Sequence, residues 1–249
     1  STFSVYTYIL TPTLMDKETG KAVLADGKEI TASTTFTPEK SEGSVDVIFT
    51  FDASVVAPKT VVAFETLTYK KIQIAVHADI EDKDQTVYIT TIRTSAKDNV
   101  TGINHTEADK EVTITDTVTY KGLEVGREYT VSGTLMNQRT GAKILVNGKP
   151  VTASTTFTAE KKEGSVEVVF AFDASALEGT TTVVYEKLYT ENKEVAAHTD
   201  INDKGQTIYI PKVRTTAIAD DTKDHVTEAK KNVTIVDTVS YEGLEVGRE

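Results

Sequence analysis

The chain has 249 residues, a formal net charge of −11, no cysteine and no tryptophan. A charge this negative makes nucleic acid and anionic membranes poor partners, and a chain without cysteine cannot be stapled by disulfides. No stretch approaches the roughly 18 apolar residues that a membrane-spanning helix needs. We therefore expect no nucleic-acid partner and no membrane insertion.

The sequence repeats itself with a period of 121 residues and without a gap. Residues 8–93 align with 129–214, and residues 94–128 align with 215–249. A period of this length corresponds to a whole domain, because solenoid repeats span only about 20–50 residues. We divide the chain into a repeat lacking its first strand (1–93), a polar linker (94–109), a complete repeat (110–214), and a linker with the orphan first strand of a further repeat (215–249).

Short runs rich in Val, Ile, Thr, Tyr and Phe alternate with turn signals along the chain, a pattern typical of strands. Asn147-Gly148, like Asp26-Gly27 in the first repeat, lies between two such runs and predicts a hairpin whose turn residues have positive φ. The pattern predicts an all-β fold of tandem immunoglobulin-like β-sandwich domains. In the complete repeat, strands are predicted near 111–120, 127–136, 142–146, 150–158, 164–172, 181–190, 194–199 and 206–213.

The opening strand of the complete repeat reads VTITDTVTY (112–120), and the tail repeats it as VTIVDTVSY (233–241). Thr117 and Thr238 occupy matching positions in these strands. Alternation places Thr117 on the face opposite Ile114 and Val118. On pattern alone Thr117 is therefore an ordinary strand threonine, and a bulge would be needed to turn it inward.

Two glutamates lie inside apolar runs, Glu65 in VAFETL (62–67) and Glu186 in VVYEKL (183–188). Burial in such a strand raises the pKa of a carboxyl group. An ion pair at the sheet edge is the plainer interpretation of the same pattern, because structural ion pairs are commoner than catalytic acids.

Downstream of each glutamate, HADIEDKDQT (77–86) aligns with HTDINDKGQT (198–207). The two segments share a histidine (His77 and His198) and a glutamine (Gln85 and Gln206). The chain's other two histidines lie in the polar segments and do not align, so we treat them as solvated surface.

These blocks together resemble the VaFE-repeat domains of Gram-positive surface adhesins, also called Thr–Gln ester-bond domains. The resemblance is borne by DTVTYKGLEVGREYT (116–130), SGTLM (132–136), VTASTTFT (151–158), VVFAFDAS (168–175), VVYEKLY (183–189) and HTDINDKGQT (198–207), with VAFE itself at 62–65. The blocks occur in the family's order, and the resemblance extends from residue 8 to the end of the chain.

The resemblance implies an ester between a first-strand threonine and a last-strand glutamine, which here pairs Thr117 with Gln206. Glu186 and His198 match the family's assisting acid and histidine, as Glu65 and His77 do in the first repeat. The family also uses an aspartate near the bond. Asp16 is its nearest match, although the complete repeat has Asn137 there, and Asp200 and Asp203 are the alternatives.

We therefore predict a structural stalk segment of an extracellular, cell-wall-anchored surface protein, with self-formed cross-links and no enzymatic turnover. No cofactor and no metal site is expected. The expected partners are adjacent repeats or neighbouring copies of the same chain, arranged head to tail. The orphan tail would complete another chain's first repeat, with Thr238 bonded to Gln85. The host ligand is left open by the sequence.

Three alternatives were weighed. A Lys–Asn isopeptide bond needs a first-strand lysine, but Lys121 is matched by Glu242 in the tail and residues 206–213 contain no asparagine. A carbohydrate-binding sandwich is disfavoured because sugar platforms favour exposed aromatic residues and this chain has no tryptophan. A hydrolase is disfavoured because there is neither a nucleophile-elbow motif nor metal-ligand spacing.

Overall fold

The computed structural model describes residues 6–247 and is built of strands. The first repeat forms one sheet in the order β4-β1-β5-β6, with β7 paired to β5. A small β2–β3 hairpin accompanies it. The strands are β1 (Tyr8–Asp16), β2 (Leu24–Ala25), β3 (Lys28–Glu29), β4 (Thr34–Phe36), β5 (Thr60–Tyr69), β6 (Ile72–His77) and β7 (Thr86–Tyr88), with a 3-10 turn at Ala53–Val55.

The second repeat has two main sheets and a small β11–β12 hairpin. Its strands are β8 (Thr91–Asp98), β9 (Val112–Lys121), β10 (Glu128–Asn137), β11 (Leu145–Val146), β12 (Lys149–Pro150), β13 (Thr152–Thr158), β14 (Gly164–Phe172), β15 (Thr180–Thr190), β16 (Lys193–His198) and β17 (Thr207–Ile210), with a 3-10 turn at Lys204–Gln206. One sheet runs β13-β10-β15-β16 with β17 paired to β15, and the other runs β14-β9-β8.

The core of the second repeat lies between these sheets, because alternate residues of each strand point inward. Ile114 of β9 and Phe170 of β14 come from one sheet, and Val131 of β10 and Leu188 of β15 come from the other. All four are fully buried. The predicted all-β sandwich is confirmed.

The predicted hairpins are also confirmed. Asn147 and Gly148 have φ values of 51° and 75° and join β11 to β12, as Asp26 and Gly27 join β2 to β3 with the same values. Both turn residues need positive φ, which asparagine, aspartate and glycine tolerate best.

One boundary differs from the sequence analysis. The sequence pattern predicts a linker over residues 94–109, but β8 covers Thr91–Asp98 and is the edge strand of the three-stranded sheet. Its matching segment in the tail is β18 (Lys212–Ala219), which pairs antiparallel with β19 (Ile235–Glu242). The tail therefore contains the first two strands of a repeat, not one.

The chain divides into two compact units. One holds the chain up to Thr91 with Tyr120–Arg127 and Ala159–Gly164, and the other holds the rest, including the tail hairpin. Across residues 6–247, no helix has the length and apolar character needed to cross a membrane. No grouping of His, Asp and Glu side chains in the same residues is suited to hold a metal ion.

Candidate functional site

The predicted acid and histidine of the second repeat lie side by side on neighbouring strands. Glu186 of β15 is directly opposite His198 of β16, and on its other side Glu186 faces Gly133 of β10. Gln206 ends the 3-10 turn that leads into β17, which pairs with β15. Glu186 and Gln206 are both fully buried.

The opposite sheet adds two residues that the sequence analysis did not select. Asp116 lies on the buried face of β9 and is 0% exposed. Thr94 lies on the inward face of β8, and its carbonyl oxygen is 3.5 Å from the position that a Cβ on Gly205 would occupy. Thr94 is therefore adjacent to the turn that presents Gln206.

These residues share an unusual lack of hydrogen bonding. Across residues 6–247, nine buried side-chain oxygen and nitrogen atoms make no well-formed hydrogen bond. Seven of them belong to Thr94, Asp116, Glu186 and Gln206, and the other two belong to Glu65 and Gln85. Folded proteins satisfy nearly all buried polar groups, so a cluster of exceptions points to chemistry at that place.

The two carboxyl groups of this cluster have strongly raised pKa values. Burial, the negative charge of Asp116 and the close approach of its carboxyl group raise the pKa of Glu186 to about 10. Burial also raises the pKa of Asp116, to about 6, although Glu186, the Thr94 hydroxyl, the Ser95 amide and His198 oppose the rise. Two buried carboxyl groups side by side therefore favour sharing a proton, and the larger rise in pKa falls on Glu186.

His198 is held by a further acid. Its Nε2 atom lies 2.5 Å from Oδ2 of Asp203, and Asp203 also accepts a hydrogen bond from the Gly205 amide. Burial raises the pKa of Asp203, but His198 and the Gly205 amide outweigh burial and lower it overall. Of the two alternatives named from sequence, Asp203 lies at this site, whereas Asp200 accepts a hydrogen bond from the Asn202 amide.

The pairing of Thr117 with Gln206 needs correction. Thr117 is exposed on β9, whereas its neighbour Asp116 points into the core next to the site. No bulge turns the strand over, and burial alternates without interruption from Val112 to Lys121. Thr94 is the threonine that the fold places beside Gln206.

The assignment of Asp16 also needs correction. Asp16 pairs across the sheet with Val61, four residues along β1 from the position that faces Glu65, or roughly 13 Å away. It binds Lys59 at 2.6 Å and accepts a hydrogen bond from the Glu18 amide. Asn137 accepts equivalent bonds in the second repeat, so both residues stabilise a turn. The aspartate of the site is Asp116.

The first repeat contains the glutamate, the histidine with its aspartate, and the glutamine of this arrangement. Glu65 is opposite His77, and His77 Nε2 lies 2.8 Å from Asp82 Oδ2. Burial raises the pKa of Glu65, and Gln85 has a buried, unpaired oxygen. Strands equivalent to β8 and β9 do not occur among the described residues of this repeat.

The tail contains the threonine and the core aspartate of this arrangement. Thr215 and Asp237 match Thr94 and Asp116 at the 121-residue period, and they lie on paired strands, with Ala217 opposite Asp237. Thr238 matches the outward-facing Thr117. The residue of the tail that matches Thr94 is therefore Thr215, and not the predicted Thr238.

Fold and site together define a β-sandwich whose two sheets meet at a buried Thr, Gln, Asp and Glu cluster. The chain belongs to the family of T-Q ester bond containing domains, whose family model matches residues 4–89, 90–210 and 211–249. The family inferred from sequence is thus confirmed, and its second match begins at the segment that contains β8.

Several solved structures are similar at low identity. A Mobiluncus mulieris adhesin containing intramolecular disulfide, isopeptide and ester bond cross-links shares 16% identity, covering 62% of this chain and 74% of that one, with a TM-score of 0.41. A family 2 glycosyl hydrolase from Bacteroides cellulosilyticus shares 9% identity, covering 96% of this chain and 28% of that one, with a TM-score of 0.36. The curated proteins compared with the chain include no match.

Proposed function

We propose that this chain is a stalk segment of a bacterial surface adhesin, stiffened by a self-formed ester between Thr94 and Gln206. The observation that supports this proposal is the buried cluster whose polar atoms make no well-formed hydrogen bond. A stable core seldom places a threonine, a glutamine and two carboxyl groups together without well-formed hydrogen bonds. Their combination provides a nucleophile, an electrophile, a base and an acid.

The reaction is an acyl transfer within one domain. Oγ of Thr94 attacks Cδ of Gln206, the bond from Cδ to Nε2 breaks, and ammonia leaves. Asp116, ionised and beside Thr94, accepts the hydroxyl proton. Glu186, kept neutral by burial, donates a hydrogen bond to the amide oxygen and stabilises the negative charge that develops there. The proton that Asp116 receives goes to the departing nitrogen.

His198 has a supporting role in this scheme. The family resemblance matches it to the assisting histidine, and its Nε2 atom is engaged with Asp203. His198 helps to keep Asp116 ionised, because it opposes the rise in that carboxyl's pKa. The chain performs the reaction once and has no turnover, and the chemistry needs neither cofactor nor metal.

The pH dependence of bond formation follows from the two raised pKa values. Asp116 must be ionised and Glu186 must be protonated, so the rate should rise as pH increases through about 6 and fall as pH increases through about 10. Protein purified unfolded in denaturant and refolded at a series of pH values should show this profile in the rate of ammonia loss by intact mass. A rate that does not change between pH 4 and 8 would contradict the proposed role of Asp116.

The bond would change how the domain bears force. Thr94 lies on the first strand of the second repeat and Gln206 immediately before its last strand, β17. Tension that enters at one end of the repeat and leaves at the other would pass through the ester and bypass the strands between. A surface-exposed stalk is the setting in which such a property matters, and we place the protein outside the cell and anchored to the cell wall.

The first repeat leaves one face of its sheet uncovered. Leu10 and Leu67 are only partly buried and line a groove of about 830 Å³, whereas their equivalents Val131 and Leu188 are fully buried. Residues 44–51 form no strand here, although the matching segment in the second repeat is β14. Both differences are expected of a repeat whose described residues include no strand pair equivalent to β8–β9.

The tail hairpin, β18–β19, has an exposed apolar face of the kind that would cover this sheet. Ile235 and Tyr241 of β19 are 59% and 65% exposed, whereas their equivalents Ile114 and Tyr120 in β9 are 0% and 7% exposed. We propose that β18–β19 of a second copy completes the first repeat. This hairpin supplies the two strands that the described part of the first repeat lacks, and Thr215 and Asp237 supply the threonine and the aspartate. An ester between Thr215 and Gln85 would then join the two copies head to tail.

The variant Thr215→Ala should abolish covalent multimers of the 249-residue chain, because it removes the proposed nucleophile for Gln85. Denaturing gels of the unaltered protein should show a ladder of multimers, and peptide mapping should join residues 215–223 to residues 84–93. The matched control Thr238→Ala removes the outward-facing neighbour and should leave the ladder unchanged. A monomer that has lost two ammonia molecules would show that one chain supplies both halves, contrary to this proposal.

A further inference from the structure

The carboxyl group of Glu186 lies against a residue that has no side chain. Gly133 is opposite Glu186 in the β10–β15 ladder. A Cβ on Gly133 would stand 2.4 Å from Glu186 Oε1 and 2.4 Å from Cζ of Phe170. The backbone of Gly133 does not have positive φ, so the need for glycine comes from the space that these two side chains occupy.

Neither neighbour can move away without cost. Glu186 and Phe170 are both 0% exposed and packed into the core. A side chain at position 133 would therefore push the carboxyl group away from Gln206, or the ring away from the core. The group most directly displaced is the acid that the proposed reaction needs.

The first repeat has Pro12 at the matching position, directly opposite Glu65. Proline adds a Cβ where the second repeat has none, and it removes a backbone N–H. The ladder beside it is correspondingly short. β1 pairs with only three residues of β4, whereas β10 pairs with seven residues of β13.

We propose that this position controls the competence of each repeat to form its ester. Gly133 is a positioning residue that lets Glu186 hold its carboxyl group at the reaction centre, and Pro12 denies that position to Glu65. The second repeat closes its bond rapidly, and the first repeat, once completed by a hairpin, closes its bond slowly. This inference rests on the proposed ester chemistry.

The first test compares two alanine variants of the second repeat, refolded from denaturant and followed by intact mass. Gly133→Ala should slow ammonia loss on the order of a hundredfold, as expected for a misplaced catalytic group. Gly164→Ala is the matched control, because its Cβ would stand 2.6 Å from the Tyr120 hydroxyl, away from Glu186. It should react at the rate of the unaltered chain, and circular dichroism should show that both variants fold.

The second test seeks a gain of activity in the first repeat. Pro12→Gly should accelerate the covalent ladder, whereas Pro12→Ala restores the N–H but keeps the Cβ and should not. A purely structural effect of proline would make the two variants equal. Equal ladder rates for these two variants, or an unchanged rate in Gly133→Ala, would overturn the inference. Absence of ammonia loss from the unaltered chain would instead contradict the proposed function.

Discussion

The Thr94→Ala variant should fold but should keep its ammonia and lose much of its thermal stability. A bond from Thr94 to Gln206 closes a loop of more than 100 residues, and a cross-link of that span stabilises a domain by roughly 5 kcal/mol in the chain-entropy description. The melting temperature of the second repeat should therefore fall by roughly 20 °C. Intact mass and differential scanning calorimetry measure the two effects on one sample.

Thr117→Ala is the matched control for this variant. Thr117 is a strand threonine of the same repeat, but it is exposed on the outer face of β9. Its replacement should leave the loss of ammonia unchanged. The melting temperature should shift no more than it does for an ordinary surface substitution. Loss of the cross-link in Thr117→Ala, with retention in Thr94→Ala, would restore the pairing first inferred from sequence and refute the one drawn from the fold.

Glu186→Gln and Asp116→Asn should each suppress ester formation while preserving the sandwich. Glutamine keeps the shape of the neutral glutamic acid, but its amide is a weaker hydrogen-bond donor to the developing oxyanion than a carboxylic acid. Asparagine cannot accept the proton of the Thr94 hydroxyl. General acid and base groups contribute about 10²–10⁴-fold each, so both variants should be isolated at full sequence mass. Neither variant buries a new charge, which favours retention of the fold.

Glu194→Gln provides the comparison for these variants. Glu194 pairs with Lys187 on the surface of the same sheet edge, so its loss should leave the reaction unchanged. The three proteins can be followed in parallel by intact mass after refolding. Ammonia loss at equal rates in all three would remove Glu186 and Asp116 from the mechanism.

The site could have been found more completely from sequence by applying alternation to acids as well as to threonine. Ile114 and Val118 define the inward face of β9, and Asp116 lies between them on that same face. An aspartate on an apolar face indicates a specific partner or function, and Asp116 lies beside Glu186. The same alternation places Thr117 outward, against the pairing that the family resemblance implies.

Thr94 was harder to recognise. The inward positions of β8 are Ile92, Thr94, Ala96 and Asp98, of which only one is a large apolar residue. A strand with so weak a pattern is easily interpreted as a polar linker, because its position is fixed by pairing with β9 and not by its own hydrophobicity. The strongly patterned strands β9, β10, β14 and β15 were predicted to within about two residues.

The positions of Glu186, His198 and Gln206 were identifiable because each lies in a motif shared by both repeats. The roles within the cluster were not identifiable in this way. The raised pKa values of Asp116 and Glu186 and the engagement of His198 with Asp203 depend on burial and on cross-strand neighbours. Those neighbours lie on strands of two different sheets, and these strands are far apart in the sequence.

Intact mass followed by tryptic mapping tests the central claim most directly. The folded 249-residue chain should have lost one ammonia at its second repeat, and residues 94–97 should be covalently joined to residues 205–212. A join between residues 111–121 and 205–212 would assign the bond to the opening strand instead. A folded, aged protein at full sequence mass, with both peptides free, would contradict the account.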